Sequence, residues 1–289
     1  MNKSFLRAAS VAAIVGVSLI SACVDEDRLT VQDVADVTEE AVSDYYYQDM
    51  DDMSGVTIGT PTDEQYEGGR VAATYNITVN DDRMQCGGVV VTLETGENST
   101  PDVPTGVITV DFGTTGCTDL RGNVRKGKII FTYNGRRFVS GSTVVTTVDN
   151  YYINDVKIEG TRTVTNITNS SEEAPKFNAT LVGGKAIFTD QRTATRESDI
   201  TTEWVRADSP LNDELIITGS AEGTTRAGRS YTVEVLTALH YRRGCSMAVQ
   251  GIKKYTLDNG KEITIDYGDG DCDRKVTVTV NGATRDLNI

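Results

Sequence analysis

Residues 263–272 read ITIDYGDGDC, and residues 108–117, 155 positions earlier, read ITVDFGTTGC. In the later copy, apolar residues at the odd positions from 263 to 267 alternate with Thr264 and Asp266. Alternation with a period of two is typical of a strand with one buried face, and the glycines that follow it indicate a turn. Each copy therefore predicts a half-buried strand that enters a glycine turn and ends on a cysteine.

The repeat extends beyond these ten residues, because a second cysteine lies upstream of each copy. Cys86 precedes Cys117 by 31 positions, and Cys245 precedes Cys272 by 27. After its second cysteine, each unit continues with a basic pair, a β-rich strand and an Asn-Gly turn. We therefore expect an internal duplication, with units at about 86–135 and 245–282.

The start of the chain has the features of a bacterial lipoprotein signal. Lys3 and Arg7 form a positive beginning, residues 8–19 are apolar but too few to span a membrane, and ISAC at 20–23 resembles a lipobox. By that resemblance, the signal peptide 1–22 is removed and Cys23 is acylated, which anchors the protein to a membrane. The alternative is an ordinary secretory signal with an incidental cysteine.

The other four cysteines would then lie in an oxidising compartment, where disulfides are the default. Four cysteines allow three pairings. Equivalent units should form equivalent local bonds, so we predict Cys86 with Cys117 and Cys245 with Cys272. A thiolate metal site is the alternative, but the chain has no C-x-x-C spacing and one histidine. We therefore predict no metal ligands among the cysteines.

The net charge of −14 argues against a nucleic-acid partner, because phosphate binding needs a clustered positive surface. The acid is concentrated: residues 24–54 hold eleven Asp and Glu against the single Arg28. Residues 24–29 are predicted to be a solvated tether. Acid directly after a lipidated cysteine resembles the surface-export signal of Bacteroidetes lipoproteins. A linker that holds the protein off the membrane fits equally well.

A single helix is predicted after the tether. Thr30 is a candidate cap, with Asp33 near capping-box position. Apolar residues then recur at helical spacing over residues 31 to about 53, ending before Ser54-Gly55. Tether and helix thus occupy 23–54, and the helix should pack on a β domain that spans 55–289. The apolar positions are Val34, Val37, Ala41 and Tyr45.

From Gly69 onward, short segments rich in Thr, Val, Ile and Tyr alternate with Gly, Asn and Asp. Turn residues at Asn134-Gly135, Gly183-Gly184 and Asp258-Asn259-Gly260 predict hairpins between antiparallel neighbours. The fold class is all-β: an antiparallel meander that forms a large curved sheet, a sandwich or a partly closed barrel, in one or two domains. The predicted strands are 70–79, 87–94, 106–112, 127–133, 141–148, 151–167, 176–189, 193–205, 214–221, 229–241, 246–256, 261–267 and 275–280.

Three blocks together with the lipobox and the acidic tether resemble a family of uncharacterised β-rich lipoproteins of Bacteroidetes. They are the block from ITVDFG to YNGR at 108–136, DNYYINDVKIEGTRTVTN at 149–166 and YGDGDCDRKVTVTVNG at 267–282. The resemblance covers most of the mature chain. It implies a β-rich envelope protein and brings no catalytic residues.

Candidate chemistry is sparse. His240 is the only histidine and lies in a predicted strand without a Gly-x-Ser-x-Gly motif, so we expect a structural role. Asp269, Asp271 and Asp273, with Asp266 upstream, could supply oxygen ligands to calcium, but the EF-hand pattern is incomplete and the first copy lacks these acids. A solvated hairpin is the favoured interpretation, and no cofactor is predicted.

Three sets of residues are candidates for contact with a sugar. The run Tyr45-Tyr46-Tyr47 and a set made of Trp204, Tyr151 and Tyr152 could stack on a sugar, although aromatic residues in such positions more often belong to the core. Glycoside hydrolysis would need two acids across a cleft, and Glu159 and Glu203 are the candidates. A strand acid such as Glu159 more often forms a solvated ion pair.

The expected function is a lipid-anchored, non-enzymatic binding or structural module of the bacterial outer membrane, on its surface or periplasmic side. Its partner would be a glycan or another envelope protein. A periplasm-facing carrier or assembly factor for an apolar ligand is the alternative, and a carbohydrate-active enzyme is less favoured.

Overall fold

The computed structural model describes residues 29–66, 72–97, 99–169, 174–208, 213–243, 245 and 247–288. Cys23, the predicted signal peptide and all of the acidic tether except Leu29 lie outside the described residues. The described part contains one α-helix, one short 3₁₀ helix and fifteen strands. They are α1 Val31–Ile58, the 3₁₀ helix Asp63–Gln65, β1 Thr74–Asn76, β2 Val90–Thr95, β3 Thr105–Asp111, β4 Cys117–Thr118, β5 Val124–Asn134, β6 Thr143–Ile153, β7 Val156–Asn166, β8 Lys176–Ile187, β9 Thr193–Val205, β10 Glu214–Thr224, β11 Ser230–Arg242, β12 Gln250–Leu257, β13 Glu262–Asp269, β14 Lys275–Val280 and β15 Ala283–Asn288.

The strands follow one another in the sheet as they do in the chain. The order runs from β1 to β15 without closing, except that the short β4 lies off this path beside β5. The registers from β1 to β8 and from β10 to β15 are antiparallel throughout. The prediction of an antiparallel all-β meander with one N-terminal helix is confirmed, and the sheet is open rather than a closed barrel.

Alternating burial explains why these segments form strands. In β3, Ile108 and Val110 are fully buried while their neighbours are half-exposed, and β13 repeats the pattern with Ile263 and Ile265. One face of each strand therefore packs into a core and the other meets water, as the period-two pattern predicted. Burying the apolar face provides the main driving force for forming the sheet.

The chain divides into two compact units, and each contains one cysteine pair. The Cys86 unit is Tyr46–Glu197, and the Cys245 unit is formed by the described residues up to Tyr45 together with those from Ser198 onward. The core of the Cys86 unit includes Met50 and Met53 of α1 against strand residues such as Phe131. The core of the Cys245 unit includes Val37 of α1.

The sequence repeat is also a structural repeat. In the first copy, β3 pairs with β5, and Asp111 Oδ1 accepts a hydrogen bond from the Gly113 amide at 2.8 Å. In the second, β13 pairs with β14, and Asp266 Oδ1 accepts one from the Gly268 amide at 2.9 Å. Both glycines have positive φ, which is why the turn requires them.

The cysteines come together as the repeat predicted. The Cα atoms of Cys86 and Cys117 are 5.8 Å apart, and those of Cys245 and Cys272 are 5.5 Å apart, which are disulfide distances. Each bond closes a local loop within its own unit. The equivalence of the two units was therefore sufficient to choose between the three pairings.

Several predicted boundaries were wrong. The helix does not end before Ser54 but continues to Ile58, because Val56 and Ile58 pack against the core of the Cys86 unit. The turn between β6 and β7 lies at Asn154-Asp155, five residues later than predicted. Gly183-Gly184 is not a hairpin turn, since both residues lie inside β8. The strands β4 and β15 were not predicted at all.

Asn134-Gly135 leads into a loop that continues to Ser142, whereas Asp258-Asn259-Gly260 is a tight turn as predicted. Among the described helices, none is long and apolar enough to cross a membrane.

Replacing Cys86 and Cys117 together by serine should lower the free energy of unfolding by about 3 to 4 kcal/mol, because the unfolded chain regains the freedom of a 31-residue loop. Urea denaturation of the oxidised full chain and the double variant measures this difference. Equal urea midpoints would show that the pair does not stabilise the fold.

Candidate functional site

The helix α1 carries eight acids and no lysine or arginine. Four of them are buried in the structure: Asp33, Asp36, Glu40 and Asp49. These four carboxylates are paired with lysine and arginine side chains from the rest of each unit. Because buried charge is costly unless it is paired, these contacts constrain the whole arrangement.

Asp49 is the centre of the ion network in the Cys86 unit. Its carboxylate accepts hydrogen bonds from Arg83 Nη1 at 3.3 Å and from Arg125 Nη1 at 2.6 Å. Arg83 Nη1 also donates to the main-chain oxygen of Asp49 at 3.0 Å. Both guanidinium groups are fully buried. One carboxylate therefore joins the helix to β5 and to the loop before β2.

Each arginine has a second acid close to it in sequence. Arg83 donates to both oxygens of Asp81, from Nε at 2.7 Å and from Nη2 at 2.8 Å. Arg125 Nε donates to Asp119 at 2.8 Å, and its Nη1 lies 2.6 Å from the Tyr151 hydroxyl. Burial alone raises the pKa of Asp81, but the hydrogen bonds and charge of Arg83 outweigh it and hold that pKa below 3.8. The Asp81 carboxylate is therefore ionised at neutral pH.

The disulfide of this unit joins the two segments that supply these acids. Asp81 lies five residues before Cys86, and Asp119 lies two residues after Cys117. The covalent bond therefore holds the partners of the two arginines at a limited separation. It supports the ion network as well as the loop that it closes.

The Cys245 unit pairs the first half of α1 in the same manner. Asp33 Oδ2 accepts a hydrogen bond from Lys261 Nζ at 2.8 Å. The same carboxylate accepts the Thr30 amide, while the Thr30 hydroxyl accepts the Asp33 amide, which is the predicted capping box. Burial raises the pKa of Asp33, and the bonds from Lys261 and Thr30 reverse that effect and lower it.

Two further acids of this half are buried against the sheet of the Cys245 unit. Glu40 Oε2 lies 3.3 Å from Lys253 Nζ, and Asp36 pairs with Arg229. The Lys253 ammonium also lies 5.0 Å from the centre of the Tyr255 ring. Burial lowers the pKa of Lys253, but the charge of Glu40 more than compensates and the pKa is raised well above 10.5.

The outer face of the Cys86 unit has a groove of about 490 Å³ where three strands are irregular. The pairing register shifts between Glu159 and Thr161 in β7, and Asn150, Gly160 and Gly183 all have positive φ. A Cβ on Gly160 would lie 2.9 Å from the Gly184 Cα, so β7 and β8 can approach this closely only through glycine. Polar side chains line most of the groove, namely Thr147, Asp149, Asn150, Lys157, Glu159 and Thr161.

The helix contacts the other side of the same bulge. The Tyr47 hydroxyl donates to the main-chain oxygen of Glu159 at 2.8 Å, and the Tyr47 ring is buried in the core. The tyrosine thus binds a main-chain carbonyl at the point where the register of β7 shifts. The shape of the groove therefore depends on the helix behind it.

Three charged side chains line the groove, namely Asp149, Lys157 and Glu159, and the last two form an ion pair. Lys157 Nζ lies 2.8 Å from Glu159 Oε1, and Lys185 Nζ lies 4.0 Å from Glu159 Oε2. The hydrogen bond from Lys157 lowers the pKa of Glu159, and Glu159 raises the pKa of Lys157. Glu159 is therefore a carboxylate that accepts hydrogen bonds, whereas a glycosidase acid needs a raised pKa.

The remaining aromatic candidates have structural partners. Tyr151 is buried and bonded to Arg125, in agreement with the core alternative. Trp204, on β9 of the Cys245 unit, donates from Nε1 to Asp213 at 3.1 Å, and its ring lies 4.8 Å from the Arg206 guanidinium. Of the tyrosine run on α1, Tyr47 is in the core, and its two neighbours are half-buried.

The candidate histidine and the acidic turn have local partners as well. His240 Nδ1 lies 2.8 Å from Glu214 Oε1. Asp273 Oδ1 accepts the Lys275 amide at 3.1 Å, and its Oδ2 lies 2.9 Å from Lys275 Nζ. Asp269 and Asp271 are exposed. Within the described ranges, no three His, Cys, Asp or Glu residues are grouped as a metal site.

Sequence reasoning missed the buried arginines and the acids that they hold. In the sequence, Arg125 is only half of the basic pair Arg125-Lys126 that follows Cys117, and Arg83 belongs to no motif. One signal was available: Asp33, Asp36 and Glu40 share a helix face with the apolar Val37 and Ala41, and no base on the helix could pair with them. The groove gave no signal, because it depends on bulges that do not interrupt the strand pattern.

Comparisons with known proteins identify no relative. No family model, no curated protein and no solved structure matches the chain.

Replacing Asp49 by asparagine should lower the free energy of unfolding by about 3 to 5 kcal/mol, because Arg83 and Arg125 lose a shared buried charge. Urea denaturation followed by circular dichroism measures the change. The control is Asp155→Asn, which removes an exposed partner of Lys126 and should cost at most about 1 kcal/mol. Equally small effects of both substitutions would contradict a central role for Asp49.

Proposed function

We propose that this chain is a lipid-anchored protein of the bacterial outer membrane that acts as a non-enzymatic binding module. In this proposal Cys23 carries the lipid, the helix α1 connects the anchor to the β structure, and the outer groove of the Cys86 unit is the binding surface. The partner is a component of the cell envelope or its surroundings.

The position of the helix relative to the lipobox carries this proposal. Val31 is only eight residues after Cys23, a distance of at most about 28 Å in a fully extended chain. Asp33, in the first turn, is buried and bonded to Lys261. An anchor at Cys23 would therefore be attached to a folded element through a short tether, which suits a protein that is held close to a membrane.

Three further features support an envelope protein. The blocks at 108–136, 149–166 and 267–282 resemble β-rich lipoproteins of Bacteroidetes. The two cysteine pairs are at disulfide distance, which suits an oxidising compartment outside the cytoplasm. Acid at residues 25–27, directly after Cys23, is compatible with export to the surface.

The groove supports binding rather than catalysis. Of its three ionisable side chains, Lys157 and Glu159 neutralise each other and Asp149 is an exposed carboxylate. The lowered pKa of Glu159 suits hydrogen bonding to a ligand better than proton donation. The volume of about 490 Å³ lies within the range of small-ligand sites.

Metabolic labelling with an alkyne fatty acid tests the anchor directly. The wild-type chain should incorporate the label and sediment with outer membranes, whereas Cys23→Ala should lose both properties. The variant in which Cys86 and Cys117 are serine is the matched control, since it also lacks cysteines but should keep the label. Membrane association of Cys23→Ala equal to that of the wild type would overturn the proposed anchoring. Protease treatment of intact cells then distinguishes the surface from the periplasmic face.

A further inference from the structure

We infer that the outer groove of the Cys86 unit binds a neutral saccharide. This inference rests on the proposed function and adds the chemical class of the ligand. Nothing in it requires a covalent step, because the groove is proposed only to bind.

The first argument is the charge balance of the groove. Glu159 is paired with Lys157 at 2.8 Å and approached by Lys185 at 4.0 Å, and at the neighbouring strand end Lys126 pairs with Asp155 at 2.9 Å. Asp149, which also lines the groove, offsets the charge of Lys185, so positive and negative groups alternate with little net charge. Such a surface gives no advantage to a polyanion or a polycation, and the net charge of −14 on the chain further disfavours polyanions.

The second argument is the mixture of hydrogen-bonding groups. The lining presents hydroxyls from Thr147 and Thr161, an amide from Asn150, a carboxylate from Glu159 and an ammonium from Lys157. Donors and acceptors thus lie side by side. A sugar hydroxyl both donates and accepts, so a polyhydroxy ligand can satisfy adjacent groups of both kinds.

The third argument is the apolar surface beside these groups. Val182 in the lining is 64% exposed, although it lies in a strand whose inward residues are fully buried. Tyr152 lies opposite Lys157 in the register of β6 and β7, so its half-buried ring is on the same face as that lysine. Ligand sites combine apolar contacts with a few orienting polar groups, and the C–H faces of a sugar ring suit Val182 and Tyr152.

Glycine at the floor of the groove provides a selective test. Gly183 has a φ of +65°, and an added Cβ would meet no atom within 4 Å. Asparagine tolerates this backbone conformation better than most residues, so Gly183→Asn should fill the groove without unfolding the strand. Gly260 has a φ of +78°, is equally open and lies in the turn between β12 and β13. Gly260→Asn is therefore the matched control.

The experiment uses the full chain in a polyoxyethylene detergent, since detergents with sugar headgroups would compete. A printed array of neutral hexose, N-acetylhexosamine, uronate and sulfated oligosaccharides identifies the ligand class, and calorimetry gives the affinity. We expect neutral oligosaccharides to bind, Gly183→Asn to weaken binding at least tenfold and Gly260→Asn to change it less than twofold. Glu159→Gln, which keeps the shape but removes the charge, should also weaken binding, whereas Glu262→Gln should not.

Three results would overturn the inference: no retention on any neutral glycan, binding confined to uronate or sulfated chains, or equal affinities of wild type and Gly183→Asn. Circular dichroism of each variant verifies that the fold is intact. If any of these results were obtained while Cys23 still incorporated the fatty acid, the saccharide would be rejected as the ligand. The proposal of a lipid-anchored binding module would remain. If the chain bound neutral glycans but did not incorporate the fatty acid at Cys23, the lipid anchor would be rejected and the saccharide inference would remain.

Discussion

The buried carboxylate of Asp49, shared between Arg83 and Arg125, is the contact on which the Cys86 unit depends most. A well-paired buried ion network adds little stability over an apolar core, but a network that loses one member leaves a charge in the interior at a high cost. The pairing therefore selects one position of α1 over others. In the Cys245 unit, Lys261 and Lys253 place the same constraint on the first half of the helix through Asp33 and Glu40.

This arrangement gives α1 a role beyond that of a cover for apolar side chains. Its Tyr47 hydroxyl supports the β7 carbonyl at the bulge, and the outer groove lies on the other side of that bulge. The proposed anchor residue precedes the helix by only eight positions. The proposed membrane anchor, the charge network and the proposed ligand groove are therefore all close in sequence to, or in contact with, one helix.

The strands were largely predictable because one face of each is buried, so that β9 and β14 were predicted with the bounds observed. The disulfides followed from the repeat, since equivalent units form equivalent bonds. Gly183-Gly184 was wrongly predicted to be a hairpin turn, because glycines also occur at bulges, where a strand bends without ending. The ion network was not predicted, because acids on a helix usually indicate a solvated face. The partners of these acids also lie tens to hundreds of residues away in the chain, as Arg125 lies 76 residues from Asp49.

Native-state hydrogen exchange of the α1 amides is the most direct test of the helix as a built-in element held by buried charge. We predict that amides around Asp49 are protected as strongly as those of β5, and amides around Glu40 as strongly as those of β12, because each half of the helix opens only with its own unit. Exchange of the helix amides several orders of magnitude faster than that of these strands would contradict it, since the helix would then detach while the sheet remained folded.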